Sequence, residues 1–278
     1  MKRIFLALAL GLWVLPGAEA QLRVQLASER NTFLLYEPIY YNVRLTNDGG
    51  MPIAFRDDES GLNPWLSFLI FDSSQKKVRR VQGVKMKDLL LQAGETKVLR
   101  VNLTQGYRLR STGQYDVQAS VRIPGGETQL TSALRFHIGQ GQEIWSDIKV
   151  YDGVERKYSL LRFIDGPSLF MYARVEEESE RLVYSTRRLG TIVGYTEPQA
   201  QFDERGHFHV LHIQDARVHR HTEMDRTGQI LKQEDFQQYQ DYAPQFTADG
   251  NGGFKITGAV SLTNRPERPK LSGDQQGL

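Results

Sequence analysis

From residue 39 to residue 46 the side chains alternate, with Ile39, Tyr41, Val43 and Leu45 set against Tyr40, Asn42, Arg44 and Thr46. A period of two fits a β-strand with one buried face and does not fit a helix. The same period returns over residues 22–26, 65–71, 98–103 and 115–123, and at Leu134, Phe136 and Ile138. Turn formers separate the runs: Asn47-Asp48-Gly49-Gly50, Asp72-Ser73-Ser74, Ala93-Gly94-Glu95 and Pro124-Gly125-Gly126. That rhythm predicts an antiparallel β-sandwich. The one expected departure is a short turn of helix within residues 84–91.

Composition narrows the chemistry. With 40% hydrophobic and 10% aromatic residues, the 278-residue chain has enough apolar material for a core, and its length favours two domains. Lys and Arg number 35 against 33 Asp and Glu, a balance that speaks against a nucleic-acid binder. With no Cys there is no disulfide framework, thiolate nucleophile, cysteine zinc site or iron–sulfur cluster. Lys2 and Arg3 precede an apolar stretch at residues 4–15, and Ala18-Glu19-Ala20 ends the segment in a small-x-small cleavage pattern. Residues 1–20 therefore read as a signal peptide for export to the periplasm or cell exterior. The apolar run is shorter than the ~20 residues a bilayer crossing needs. Cleavage takes Lys2, Arg3 and Glu19, leaving 33 basic against 32 acidic residues. The expected mature protein has no integral membrane segment, and the lack of Cys favours a bacterial source.

Glu37-Pro38-Ile39 enters a strand that ends Leu45-Thr46-Asn47, Gly94-Glu95 precedes the strand at residues 98–103, and Gly113-Gln114-Tyr115 opens a late strand. On these residues, positions 22–138 resemble macroglobulin-like and other bacterial immunoglobulin-like modules. The resemblance implies a sandwich over residues 21–139, with Tyr115 as a tyrosine corner whose hydroxyl bonds backbone. The cysteine pair and core tryptophan of antibody domains have no match, and neither do the bait region and thioester of protease-trapping relatives.

A repeat follows. Pro198, Asp203, Gly206, Phe208 and Val210 lie over Pro244, Asp249, Gly252, Phe254 and Ile256 at a spacing of 46 residues. The spacing suits propeller blades, with Asp and Gly closing a hairpin turn. A weaker copy sits at Asp165-Gly166, and Asp225-Arg226-Thr227-Gly228 is a further turn. Residues 156–263 are expected to form two or three blade-like antiparallel sheets, too few to close a ring, after a linker at 140–155 in which Trp145 packs at a domain junction. Residues 264–278, with Pro266, Pro269, Gly273 and Gly277, read as a disordered tail. The expected fold is thus all-β, an immunoglobulin-like sandwich plus an incomplete propeller, with oligomerisation as one way to close it.

Five of six histidines, His207, His209, His212, His219 and His221, crowd into fifteen residues on two expected strands. Residues i and i+2 share a strand face, so the pairs offer metal ligands, with zinc the cation in view. A two-residue turn at Asp215-Ala216 puts His212 opposite His219, with His221 on that face and Glu223 available. A turn one residue longer puts His209 opposite His221. The competing reading is imidazoles packed on aromatics. Asp203 and Asp249 read as turn residues, since the aspartate box of sialidase-type propellers is incomplete. The acidic run Glu176-Glu177-Glu178-Ser179-Glu180 reads as a hairpin tip, and Lys76-Lys77-Val78-Arg79-Arg80 as edge protection or a contact for anionic glycans.

No Gly-x-Ser-x-Gly elbow, phosphate loop, dinucleotide fingerprint or His-Glu-x-x-His is present. The leading expectation is a non-enzymatic exported binding or scaffolding protein with a protein or glycan partner. A metal-binding protein using the 207–221 hairpin and a secreted protease inhibitor are the alternatives.

Overall fold

The structure, a computed structural model, describes residues 22–57, 64–81, 86–125, 127–177, 179–180, 182–194, 196–239 and 242–263. The expected signal peptide and C-terminal tail lie outside them. Among the described residues the chain is all-β apart from one 3-10 turn at Leu103–Gln105.

Ten strands make the N-terminal part: β1 (Leu22–Ala27), β2 (Thr32–Leu34), β3 (Tyr40–Asn47), β4 (Ile53–Phe55), β5 (Leu66–Asp72), β6 (Leu89–Leu91), β7 (Thr96–Asn102), β8 (Gly113–Arg122), β9 (Thr128–Leu130) and β10 (Leu134–Gly139). One sheet runs β1-β3-β7 and the other β2-β10-β8-β5, with β9 on β8 and a separate β4-β6 ladder. The alternation read from the sequence sends Tyr41, Val43 and Leu45 of β3, and Phe68, Ile70, Val117, Ala119 and Val121 of the other sheet, into one core. Trp65 is buried against Phe55, with ring centres 4.7 Å apart. The Tyr115 hydroxyl donates to the Ser111 carbonyl at 2.8 Å, the expected corner bond. Where a helical turn was expected, Leu89–Leu91 is instead a strand paired with β4; residues 84–85 lie outside the described residues. Its alternation is real but only three residues long: Leu91 is buried and Leu90 exposed.

The C-terminal part is a succession of antiparallel sheets. β11 (Gln142–Tyr151), β12 (Val154–Asp165), β13 (Ser168–Glu177) and β14 (Leu182–Thr191) form a four-stranded meander. β15 (Gln199–Phe202), β16 (Phe208–Asp215), β17 (Val218–Met224) and β18 (Ile230–Gln238) form the next. β19 (Gln245–Ala248) and β20 (Phe254–Thr257) make a hairpin, and β21 (Ala259–Ser261) returns to β18. The sheets form an open, incomplete propeller-like arrangement. The stretch expected as a linker is largely β11. Its apolar Ile148 and Val150 face solvent, which hides the strand pattern. Trp145 stacks on Phe208 at 5.3 Å, between the two blade sheets and away from the sandwich.

Both faces of the first blade sheet are covered. Tyr158, Leu160, Met171 and Val175 meet Phe208, Val210 and Met224 of the second. On the opposite face Leu161, Phe163 and Tyr172 pack with Leu34 of the sandwich. Arg174 on that face donates to the Leu35 carbonyl at 2.6 Å. Arg30 bonds Glu37, Tyr172 and Asp165 at 3.0, 3.1 and 3.3 Å, tying the sandwich to the first blade.

One turn recurs. In Asp203-Glu204-Arg205-Gly206-His207 an aspartate oxygen accepts the backbone N–H two and four residues on, at 3.0 and 2.7 Å. Asp225 does the same at 2.8 and 2.9 Å, and Asp249 at 2.7 and 3.0 Å. The fourth residue is Gly206, Gly228 or Gly252, with φ of +80°, +78° and +80°. Asp72 closes the same turn in the sandwich at 2.9 and 3.0 Å with Gln75 at φ +61°, so the aspartate sets the geometry and glycine relieves it.

These glycines are unequal. A Cβ on Gly228 would overlap Ser185 Oγ and lie 2.6 Å from Val175 Cγ2, whereas one on Gly250, also at φ +80°, meets nothing within 4 Å. Gly250→Ala is expected to cost about 1 kcal/mol, the left-handed penalty alone. Gly228→Ala adds overpacking between the blade sheets, for a total of roughly 3 kcal/mol. Urea denaturation of both variants checks this ordering, and equal losses would show that the sheets separate freely at Gly228.

Candidate metal centre

The β16–β17 register places the histidines. Val210 stands opposite Thr222, Leu211 opposite His221, and His209 opposite Glu223, and the pairing slips between Ile213 and Asp215. Gln214 is the unpaired residue of this bulge, so the turn falls at Ala216-Arg217 and neither expected alignment occurs. His209, Leu211, His219, His221 and Glu223 consequently share one face. Phe208, Val210, His212, Arg220, Thr222 and Met224 share the other, against the first blade sheet.

Four donors converge on the first face. Asp203 Oδ1 is occupied by its own turn, while Oδ2 lies 3.3 Å from His209 Nε2 and 3.7 Å from His207 Nδ1. His207 Nδ1 is 2.8 Å from Glu223 Oε1. The ligand atoms of Asp203, His207, His209 and Glu223 all lie within 4.8 Å of one another. A tetrahedral cation with bonds of about 2.0–2.1 Å puts its donors roughly 3.3–3.4 Å apart. The separations of 2.8, 3.3 and 3.7 Å lie on either side of that edge, and the widest within the cluster, up to 4.8 Å, must contract for all four donors to reach one small cation.

The surroundings match such a role. His209 Nε2 is buried with the Asp203 carboxylate 3.3 Å away, while His209 Nδ1 lies 2.9 Å from His221 Nε2. An imidazole that binds a cation through Nε2 keeps its proton on Nδ1, and His221 is placed to accept it. Phe246 and Phe254 of the last hairpin pack edge-on against His209, with ring centres at 6.1 and 5.1 Å. Burial holds the His209 pKa below its ordinary value despite Asp203 and Glu223, and burial with the neighbouring His209 pushes His221 down to about 4. Both rings are therefore neutral at pH 7, the state a ligand and its hydrogen-bond acceptor require.

Of the five histidines, the fold brings His207 and His209 into the donor set and His221 behind it. His219 is on the same face but further along, its Nε2 3.1 Å from Gln238 Oε1. His212 points the other way, into the space between the blade sheets, where its ring is buried near the Thr191 backbone. The candidate donor that sequence reasoning missed is Asp203. Its turn spacing held the signal: residue i+4 closes the turn beside the aspartate, and here i+4 and i+6 are both histidine. In the second copy of the repeat the corresponding residues are Gly253 and Lys255, so the same turn carries no imidazoles.

Burial, with Arg220 nearby, pushes the His212 pKa from 6.5 down to about 4. The unfolded chain then binds a proton that the native state refuses, so this contribution is complete above pH 6.5 and is lost as pH falls towards 4. At about 1.4 kcal/mol per unit, the loss between pH 7.5 and 5 is roughly 2 kcal/mol. Chelator-treated His212→Leu should lose less stability than the parent over this interval by that amount. Parallel urea curves at both pH values measure it, and identical slopes would mean that His212 is solvated.

No family model matches the chain, and no curated protein matches it in sequence. Among solved structures it is similar to Spo0M, a sporulation control protein from Bacillus subtilis, at 12% identity and a TM-score of 0.30, covering 59% of this chain and 83% of that one.

Proposed function

We propose that this is an exported, non-enzymatic binding protein whose second blade sheet is pinned by a transition-metal ion held by Asp203, His207, His209 and Glu223. The observation that carries this reading is the buried Nε2 of His209 facing the Asp203 carboxylate at 3.3 Å, within a four-donor cluster. Two imidazoles and two carboxylates suit Zn²⁺, with Mn²⁺ or Fe²⁺ as competitors, and the imidazoles disfavour Ca²⁺ and Mg²⁺. Four protein donors complete a tetrahedron and leave no position for water, which favours a structural over a catalytic ion. Such an ion joins the Asp203 turn, which links β15 to β16, with the paired strands β16 and β17. Export rests on Lys2, Arg3, the apolar stretch at 4–15 and the Ala18-Glu19-Ala20 site. Stacked sheets joined by loops leave faces free for a protein or glycan partner.

The test is metal analysis of untagged protein, followed by zinc titration after chelation. About one ion per chain is expected, with His207→Ala and Glu223→Gln each reducing occupancy. At 100 times Kd, bound zinc should raise parent stability by ~2.7 kcal/mol and leave His207→Ala nearly unmoved. Substoichiometric metal together with no zinc-dependent stabilisation overturns the proposal.

A further inference from the structure

The sandwich and the first blade sheet are separated on one side by a cleft of about 420 Å³, within the ~300–1,000 Å³ typical of small-ligand sites. It lies apart from the histidine face, and nothing below depends on a bound metal. Arg108, Arg110 and Arg187 line it, and no aspartate or glutamate does. The exposed guanidinium groups of Arg108 and Arg110 make no hydrogen bond or ion pair among the described residues, and Arg187 bonds only the neutral Gln229 amide.

The charge is concentrated further by pairing. Arg80 bridges Tyr107, and the Arg108 N–H donates to the Arg79 carbonyl at 3.1 Å, so exposed Arg79 stands opposite Arg108. Like charges directly opposite each other destabilise a ladder, and an anion in the cleft removes that repulsion. Part of the basic run at residues 76–80 thus extends the arginine surface of the cleft.

Two tyrosines supply flat surfaces. Tyr36 is held at φ +71°, an uncommon conformation for a bulky residue, with its ring 5.2 Å from the buried Arg174 guanidinium. Strained residues of this kind collect at ligand sites, where the surrounding structure maintains them. Tyr184 lines the opposite wall, its hydroxyl donating to Glu177 at 2.6 Å. Thr104, Gln105 and Thr186 add hydroxyl and amide groups, and the lining lacks the continuous apolar wall a lipid chain requires.

From this geometry we infer that the cleft between the sandwich and the first blade sheet binds an acidic saccharide. Arg108 and Arg110 take the carboxylates of uronic acid units, Arg187 adds positive charge from the blade wall while bonded to Gln229, and Tyr36 and Tyr184 stack on the sugar rings. Guanidinium forks match carboxylates in two parallel hydrogen bonds, and aromatic faces accept the apolar face of a pyranose.

Calorimetric titration of the full mature chain with trigalacturonate tests this, with maltotriose as the neutral trimer, inorganic phosphate as the simple anion and a short single-stranded oligonucleotide as the other polyanion. Trigalacturonate should bind saturably, weaken with salt, and bind roughly tenfold or more less tightly to Arg108→Gln/Arg110→Gln, a loss of about 1.4 kcal/mol or more. The double variant alters only exposed side chains and should keep the parent melting temperature. Arg44→Gln/Lys87→Gln, the same charge change at exposed positions outside the cleft, should bind like the parent. The inference fails if trigalacturonate does not bind, if maltotriose binds equally well, if phosphate or the oligonucleotide binds more tightly, or if the cleft variant binds within twofold of the parent.

Discussion

The first blade sheet is apolar on both faces, and this requirement organises the rest of the molecule. Leu161, Phe163 and Tyr172 need the sandwich, while Tyr158, Leu160, Met171 and Val175 need the second blade sheet. A sheet of this kind cannot stand alone, because either face left in water costs about 25 cal/mol per Å² of apolar surface. The sandwich and second sheet are thus held in sequence by one shared layer. Polar groups caught between the layers are bonded for the same reason. Arg30 serves Glu37, Tyr172 and Asp165 at once, and Arg174 reaches a sandwich carbonyl. His212 lies in this layer as a buried, neutral ring.

The second blade sheet repeats the arrangement with different chemistry. Its inner face is apolar and its outer face carries imidazoles covered by Phe246 and Phe254. An outer face built from leucine would have packed on that hairpin equally well, so the histidines need a reason beyond packing. The Asp203 turn supplies it by committing one carboxylate oxygen to backbone and leaving the other beside His209. The turn that shapes the hairpin is therefore also the one that places a carboxylate in the candidate donor cluster.

Much of this was legible before any coordinates. Alternation located six of the ten sandwich strands, missing the three-residue strands β2, β4, β6 and β9, Asp-x-x-Gly located the blade turns, and the offsets of Pro, Asp, Gly, Phe and a β-branched residue aligned the two hairpins at 198–210 and 244–256. What escaped has a physical cause in each case. β11 places Ile148 and Val150 in solvent, so its pattern resembled a linker. The Gln214 bulge adds one residue to one strand and changes which side chains face each other, while leaving no mark in composition. Asp203 was readable as a turn former and not as a ligand, because its second role depends on His209 approaching through space. The arginine cleft was illegible for a similar reason, since its walls come from residues far apart in the chain.

The last hairpin, β19–β20, has only two strands, yet it is the cover for the imidazole face. Layers that touch only their neighbours lose structure from the free end inward, as in linear repeat arrays, and the smallest terminal layer opens first. Amide exchange should therefore be graded along the stack, fastest in the hairpin and slowest in the sandwich. Opening of that end cap admits water to His209 and His221 while the sheets beneath remain folded. Access to the histidine face is thus governed by a local fraying equilibrium, set by how firmly two phenylalanines seat on two rings.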